Sequence, residues 1–261
     1  MTPTLQNRIR NEAWSIVPSY LDLFSESIEQ AKSMVGVVES SPSQIVEVVG
    51  TTAVITISGA MGKRLDWFEK DYMGMTDYDE IEMALREVSQ LDGIQRAVLH
   101  FDTPGGSVTG CPELGKLIKS MSLPTVAFTD SMMASAGYWL GSQCDLVYAS
   151  ESSSVGSIGC YIMHVDQSGF LEKIGVKVSM FKKGKHKASF SPFKPLSDEE
   201  KKELQASADK CHGQFKAAVS ASRSVDSSVF ESKCYDSDEA IELGLIDGHI
   251  NNLTELLQFL G

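Results

Sequence analysis

The feature that most constrains this chain is the alternation of short β-rich runs with helical ones. The β-rich runs are IVEVV (45–49), AVITIS (53–58), AVLHF (97–101), TVAFT (125–129), LVYAS (146–150) and VKVSMF (176–181). Between them lie stretches with helical spacing, the clearest being TDYDEIEMALREVSQ (76–90). There Ile81, Leu85 and Val88 share one face, and Thr76 with Asp79 reads as a capping box. Strands separated by helices imply a largely parallel sheet covered on both sides, so the fold class is α/β. LSDEEKKELQASADK (196–210) reads as a further helix, capped by Ser197 with Glu200 three residues on. SDEAIELGLIDG (237–248) reads as a helix stopped by Gly244, then a short strand and a last helix.

Residues 1–44 have a different pattern. Ile9, Trp14, Ile16, Val17, Leu21, Leu23, Phe24 and Ile28 form an imperfect helical face, and ESSPSQ (39–44) reads as a linker. The expected organisation is an N-terminal helical arm with its linker over 1–44 and one large domain over 45–261. A length of 261 residues suits that division.

The formal net charge of −12 and a pI near 4.9 point away from a nucleic-acid partner, whose binding surface would be basic. Five widely spaced cysteines (Cys111, Cys144, Cys160, Cys211, Cys234) include no CxxC pair, which favours reduced thiols over a disulfide framework or a metal site. No run approaches the roughly 18–20 apolar residues that span a bilayer. The polar start, MTPTLQNRIRNEAW, lacks the apolar core of a signal peptide. A soluble chain in the cytoplasm, using neither metal nor cofactor, is the expectation.

Three features carry candidate chemistry. FDTPGGSVTG (101–110) follows a strand and leads into a helix, and its Gly105 and Gly106 allow close approach to backbone N–H groups that could hold an oxyanion. A turn that needs two glycines for its dihedrals is the plainer reading. In MMASAGYWLG (132–141), Ser135 stands among small residues at a helix start, where the helix dipole favours an alkoxide; a small helix-start residue is the plainer reading there too. The glycine that a nucleophile elbow places two residues before the serine is replaced by Met133. A serine needs a base, and none of His100, His164, His186, His212 and His249 lies in a triad motif. In FKKGKHKASFSP (181–192), Lys187 enters the run Ala188-Ser189-Phe190, where desolvation could turn a lysine into a base, although a basic surface loop explains the stretch as well.

The order of these pieces is specific. A strand with PGG is followed by S-A-G-Y, SSVGSIG, G-x-H-K, an acidic helix and ELGLIDG. This order resembles the signal peptide peptidase A family of serine–lysine peptidases, over roughly residues 45–248. The resemblance implies a crotonase-like fold, shared with the caseinolytic protease subunit and built from repeated β-β-α units. It implies Ser135 as nucleophile and Lys187, 52 positions on, as general base. It implies Ser157 as the residue that orients the lysine, and Gly105 and Gly106 as the oxyanion hole. It also implies a homo-oligomer with sites at subunit interfaces and activity at neutral to alkaline pH.

Membrane-anchored relatives carry a transmembrane segment, and some carry tandem peptidase units. A single unit without a span is more similar to bacteriophage head-maturation proteases, which cut scaffold, capsid or portal proteins. Thr103 stands where many relatives have serine. Other readings remain open at this stage: a cellular peptidase that degrades signal peptides, crotonase-type chemistry on acyl-CoA thioesters, a catalytically silent assembly subunit, or a Ser–His enzyme using His186.

Overall fold

The computed structural model describes residues 13–17 and 45–261. Among these residues the strands form three sheets. The largest runs β13-β10-β8-β6-β3-β2, with β2 at Val46–Val49, β3 at Thr52–Ser58, β6 at Arg96–Asp102, β8 at Thr125–Thr129, β10 at Leu146–Ala149 and β13 at Gly248–His249. Every pairing in it is parallel except β2 with β3, which are joined by a tight turn at Gly50. A second sheet has the order β1-β7-β4-β5: β1 is Trp14–Ile16, β4 Met61–Gly62, β5 Thr76–Asp77 and β7 Gly105–Ser107. A third joins β9 (Met132–Ala134), β11 (Ser154–Gly156) and β12 (Cys234–Tyr235).

Successive long strands are followed by a short strand in a minor sheet and, in three cases, by a helix. β3 leads through β4 and β5 to α1 (Tyr78–Val88), β6 through β7 to α2 (Cys111–Lys119), and β8 through β9 to α3 (Ala136–Gly141). This is the repeated β-β-α pattern expected of a crotonase-like α/β fold. Side chains of the long strands alternate between two apolar layers. Ala53, Ile55, Ile57, Leu99, Phe101 and Ala127 face the cluster built with α1, α2 and α3. Val54, Val98, Val126 and Phe128 face Ile250 and Leu256. After α4 (Ser168–Lys173) come the long α5 (Asp198–Ser220), α6 (Ser237–Glu242) and α7 (Leu253–Leu260), which carries Leu256. Trp139 of α3 stacks on Phe215 of α5 with ring centroids 4.4 Å apart, so the long helix braces the short one that follows Ser135.

The Ser197–Glu200 capping box forms as expected, and Gly244, at φ +77, ends the turn after α6. Other expectations are corrected. Asp77, not Thr76, caps α1, because Thr76 lies in β5 and its hydroxyl donates to the Ser58 carbonyl at 2.7 Å. The run 176–181 is not a strand: it lies exposed without a neighbouring strand among the described residues, and a β-rich run needs a partner to satisfy its backbone. The helical arm fails where it can be checked. Trp14–Ile16 is a strand, since the free edge of β7 offers backbone partners that outweigh a weak helical pattern. The rest of the 1–44 arm and linker lies outside the described residues. Cys160 and Cys211 are joined as a disulfide with Cα atoms 6.3 Å apart, which corrects the reading of five reduced thiols. Their 51-residue separation left no spacing signal. Among the described residues no helix is long and apolar enough to cross a membrane.

Phe215 has no solvent exposure. Phe215→Ala is expected to destabilise the fold by about 3–5 kcal/mol through the cavity left against Trp139. Urea unfolding should show a lower midpoint at an unchanged slope.

Candidate active site

Ser135 is the hinge between a strand and a helix. It follows β9, precedes α3, and has φ +55 and ψ −118, a region that side-chain-bearing residues rarely occupy. The surrounding backbone enforces this conformation. Ser135 N–H donates to Gly156 O at 2.7 Å, at the end of the parallel β9–β11 ladder. On the other side, Thr103 N–H donates to Met132 O at 2.8 Å and Ala134 N–H to Thr103 O at 3.1 Å. With both flanks of β9 fixed, the chain has to turn sharply to enter α3. The missing glycine at Met133 does not prevent an elbow, because the strain is carried by Ser135 alone.

The small neighbours have specific reasons. A Cβ at Gly137 would collide with Thr103 Cγ2. A Cβ at Gly105 would overlap the Ser15 carbonyl oxygen and lie 2.8 Å from Ser135 Cβ and 3.0 Å from Ala136 N. A Cβ at Gly106 would collide with the Met61 carbonyl. The PGG segment is thus a strand, β7, pressed against the elbow rather than a bare turn. Thr103 fastens it: its hydroxyl donates to Gly59 O at 2.6 Å and accepts Gly105 N–H at 3.1 Å. That bond uses the Gly105 amide, and the pairing of Ser15 with Gly106 faces the Gly106 amide to the Ser15 carbonyl. The Ala136 amide, first in α3, is the other N–H close by.

Of the residues singled out in the sequence, Ser135, Gly105 and Gly106 come together here, and Ser157 lies on the adjoining β11 segment. Ser157 is buried, has φ +54, and donates its N–H to Lys233 O at 2.8 Å. Its side chain meets the Cys234 thiol, whose pKa is pushed up by burial and only partly offset by hydrogen bonds from Ser154 and Ser157. Lys187 stands apart. It is exposed, in a turn whose backbone bond runs from Lys187 N–H to Gly184 O at 3.3 Å, and its ammonium has no ion pair or hydrogen bond among the described residues. His186 is also exposed, with Nδ1 3.8 Å from Glu203.

The turn that bears Lys187 is anchored at its far end by Glu200. That carboxylate accepts from Lys194 Nζ at 2.6 Å, Ser197 N–H at 2.8 Å and Phe190 N–H at 3.2 Å. The Lys194 ammonium and then the Ser197 amide hold its pKa at about 2, below the usual 4.5. The sequence reading missed Ser15, whose hydroxyl lies 2.7 Å from Ser135 Oγ. Only the strand register reveals that contact across 120 residues.

A buried serine on a strained strand-to-helix elbow, pressed against a glycine strand, stands at the centre of this α/β protein. The chain belongs to peptidase family S49, whose family model matches residues 118–260. It is 30% identical over 212 residues to capsid assembly protease C of Escherichia phage lambda, covering 79% of this chain and 48% of that protein. It is 29% identical over 215 residues to the head-tail preconnector protein GP5 of Enterobacteria phage P21, covering 80% of this chain and 43% of that protein. The chain therefore spans about half the length of the curated relatives it matches. Among solved structures, an enoyl-CoA hydratase/isomerase family protein from Silicibacter pomeroyi overlays with a TM-score of 0.47 at 15% identity, over 82% of this chain and 78% of that one.

A depressed carboxylate pKa contributes stability that is present above the unfolded value and lost as pH falls through the folded one. Glu200→Gln should therefore lower Tm most above pH 4.5, and the gap from wild type should close as pH falls towards about 2. Melting curves across that range check this.

Proposed function

We propose that the chain is a serine endopeptidase in which Ser135 attacks the peptide carbonyl and Lys187 is the general base. The observation that carries the reading is the strained elbow at Ser135 with Gly106 and Ala136 beside it. In the reaction, neutral Lys187 takes the Ser135 proton as Oγ bonds to the carbonyl carbon. The Gly106 and Ala136 N–H groups receive the developing oxyanion, and Ser157 orients the lysine ammonium. Lys187 then protonates the leaving amine, and water hydrolyses the acyl-enzyme with the same base. Because only the neutral lysine is a base, activity rises towards alkaline pH.

The distance between the roles of Ser135 and Lys187 has a physical reading. The segment before Lys187 leaves Phe170, Ile174, Val176, Val178 and Phe181 exposed, Phe181 to 96%. So much apolar surface in one segment marks an interface. Its occupant in our reading is a second copy of this chain, which desolvates Lys187 and brings it to a serine. The sites therefore form between subunits of a homo-oligomer. The names of the two phage relatives support a role in capsid maturation, with scaffold, capsid or portal proteins as substrates, in the host cytoplasm or inside the immature shell.

Cleavage of a denatured protein substrate at alkaline pH, followed by intact mass, tests the reading. Ser135→Ala should fall to background, and Lys187→Ala should lose about 10²–10⁴-fold, the usual contribution of a general base. His186→Ala should keep nearly full activity. A His186→Ala loss as deep as that of Lys187→Ala assigns the base to the histidine, and three variants as active as wild type remove the dyad altogether.

A further inference from the structure

Strand β1 pairs with β7 directly beside Ser135. Along one edge, Val17 N–H donates to Pro104 O and Val108 N–H to Ala13 O, each at 2.9 Å. Antiparallel pairs exchange bonds at every second residue, so Ser15 and Gly106 form the bonded pair between those two. That register turns the Gly106 amide, the proposed oxyanion donor, to the Ser15 carbonyl. The opposite edge is held as well: Trp14 N–H donates to Tyr161 O at 3.0 Å, and Tyr161 N–H to Trp14 O at 2.9 Å. The segment is clamped between two backbones.

Its side chains alternate accordingly. Trp14 and Ile16, 1% and 2% exposed, fill a small apolar cluster with Ala60, Leu65 and Met75 that is separate from the main core. Ser15 points the other way, to Ser135 Oγ at 2.7 Å. The Ser15 hydroxyl donates to Gly159 O at 2.8 Å. A hydroxyl has one proton, so the proton between the two serines is that of Ser135, donated to Ser15. In this arrangement the Ser135 proton is directed to Ser15 and not to a base.

We propose that the slot between β7 and Tyr161 is a binding site for an extended peptide strand, and that its resident ligand is the chain's own Ala13–Val17. A peptide substrate reaches Ser135 only after this strand leaves. The proposal rests on the reading of Ser135 as nucleophile, and it adds that the resting chain carries its own competitor.

The test uses the full chain, a peptidyl diphenyl phosphonate that has to enter the slot to phosphonylate Ser135 with loss of phenol, and the capped peptide NEAWSIVPS. Ser15→Pro removes the N–H that bonds Gly106 and frees the strand. If the slot of the wild type is open less than a tenth of the time, Ser15→Pro should react about tenfold faster or more. Added peptide should slow the variant back towards the wild-type rate, and a fluorescein-labelled copy should bind it. Equal rates in the two proteins, with no effect of the peptide, overturn the proposal. Should Ser15→Pro fail to fold, hydrogen exchange of the wild type decides. The amides of Trp14, Ser15 and Val17 should lose protection when Ser135 is phosphonylated, and unchanged protection in the fully phosphonylated protein overturns the proposal. A folded variant that binds the peptide but never takes the phosphonate keeps the slot and removes the nucleophile, so the two readings fail separately.

Discussion

The site depends on a backbone held in an unfavourable conformation. Ser135 occupies φ +55 and ψ −118 because the strand before it is tied on both flanks, to Thr103 on one side and to Gly156 on the other. Such a conformation costs on the order of 1–3 kcal/mol and persists only where the surroundings over-determine it. The supports here are parallel ladders, a hydroxyl from Thr103, and glycines at 105, 106 and 137 where any Cβ would collide. The sheet, the brace of Phe215 on Trp139 and the fastening of β7 all serve to keep one hydroxyl at one place.

The proposed base is organised differently from the proposed nucleophile. Ser135 is set by buried, rigid elements, whereas Lys187 sits on an exposed turn behind an apolar segment. A lysine needs desolvation to act as a base near neutral pH, and solvent around Lys187 provides none. In the proposed account assembly supplies it, so that a lone chain in solution is protected from its own chemistry. In the same account the strand that pairs with β7 is a second safeguard of this kind.

Much of this could be read in the sequence, for local reasons. Five of the six β-rich runs became strands of the main sheet: the largely buried β3, β6 and β8 have few other solutions, while β2 pairs along an exposed edge. Ser197 with Glu200 announced the start of α5, and Ser135 between small residues announced a site that could not accept larger ones. What escaped was non-local. Whether 176–181 pairs, whether Trp14–Ile16 is helix or strand, and whether Cys160 meets Cys211 depend on neighbours far along the chain. Thr103 drew no structural expectation from the sequence, yet its hydroxyl holds β7 in place. Gly105 and Gly106 looked equivalent, and only the hydrogen bonds separated an amide held by the Thr103 hydroxyl from one that faces the Ser15 carbonyl.

The central claim is that Ser135 is the atom that accepts the acyl group. The most direct measurement is tandem mass spectrometry of the wild-type chain after treatment with an acylating serine-directed probe, to find which residue carries the adduct. The account predicts a single adduct, on Ser135, that is absent from the Lys187→Ala chain. An adduct on a different serine, or proteolysis that continues with Ser135 unmodified, would contradict it.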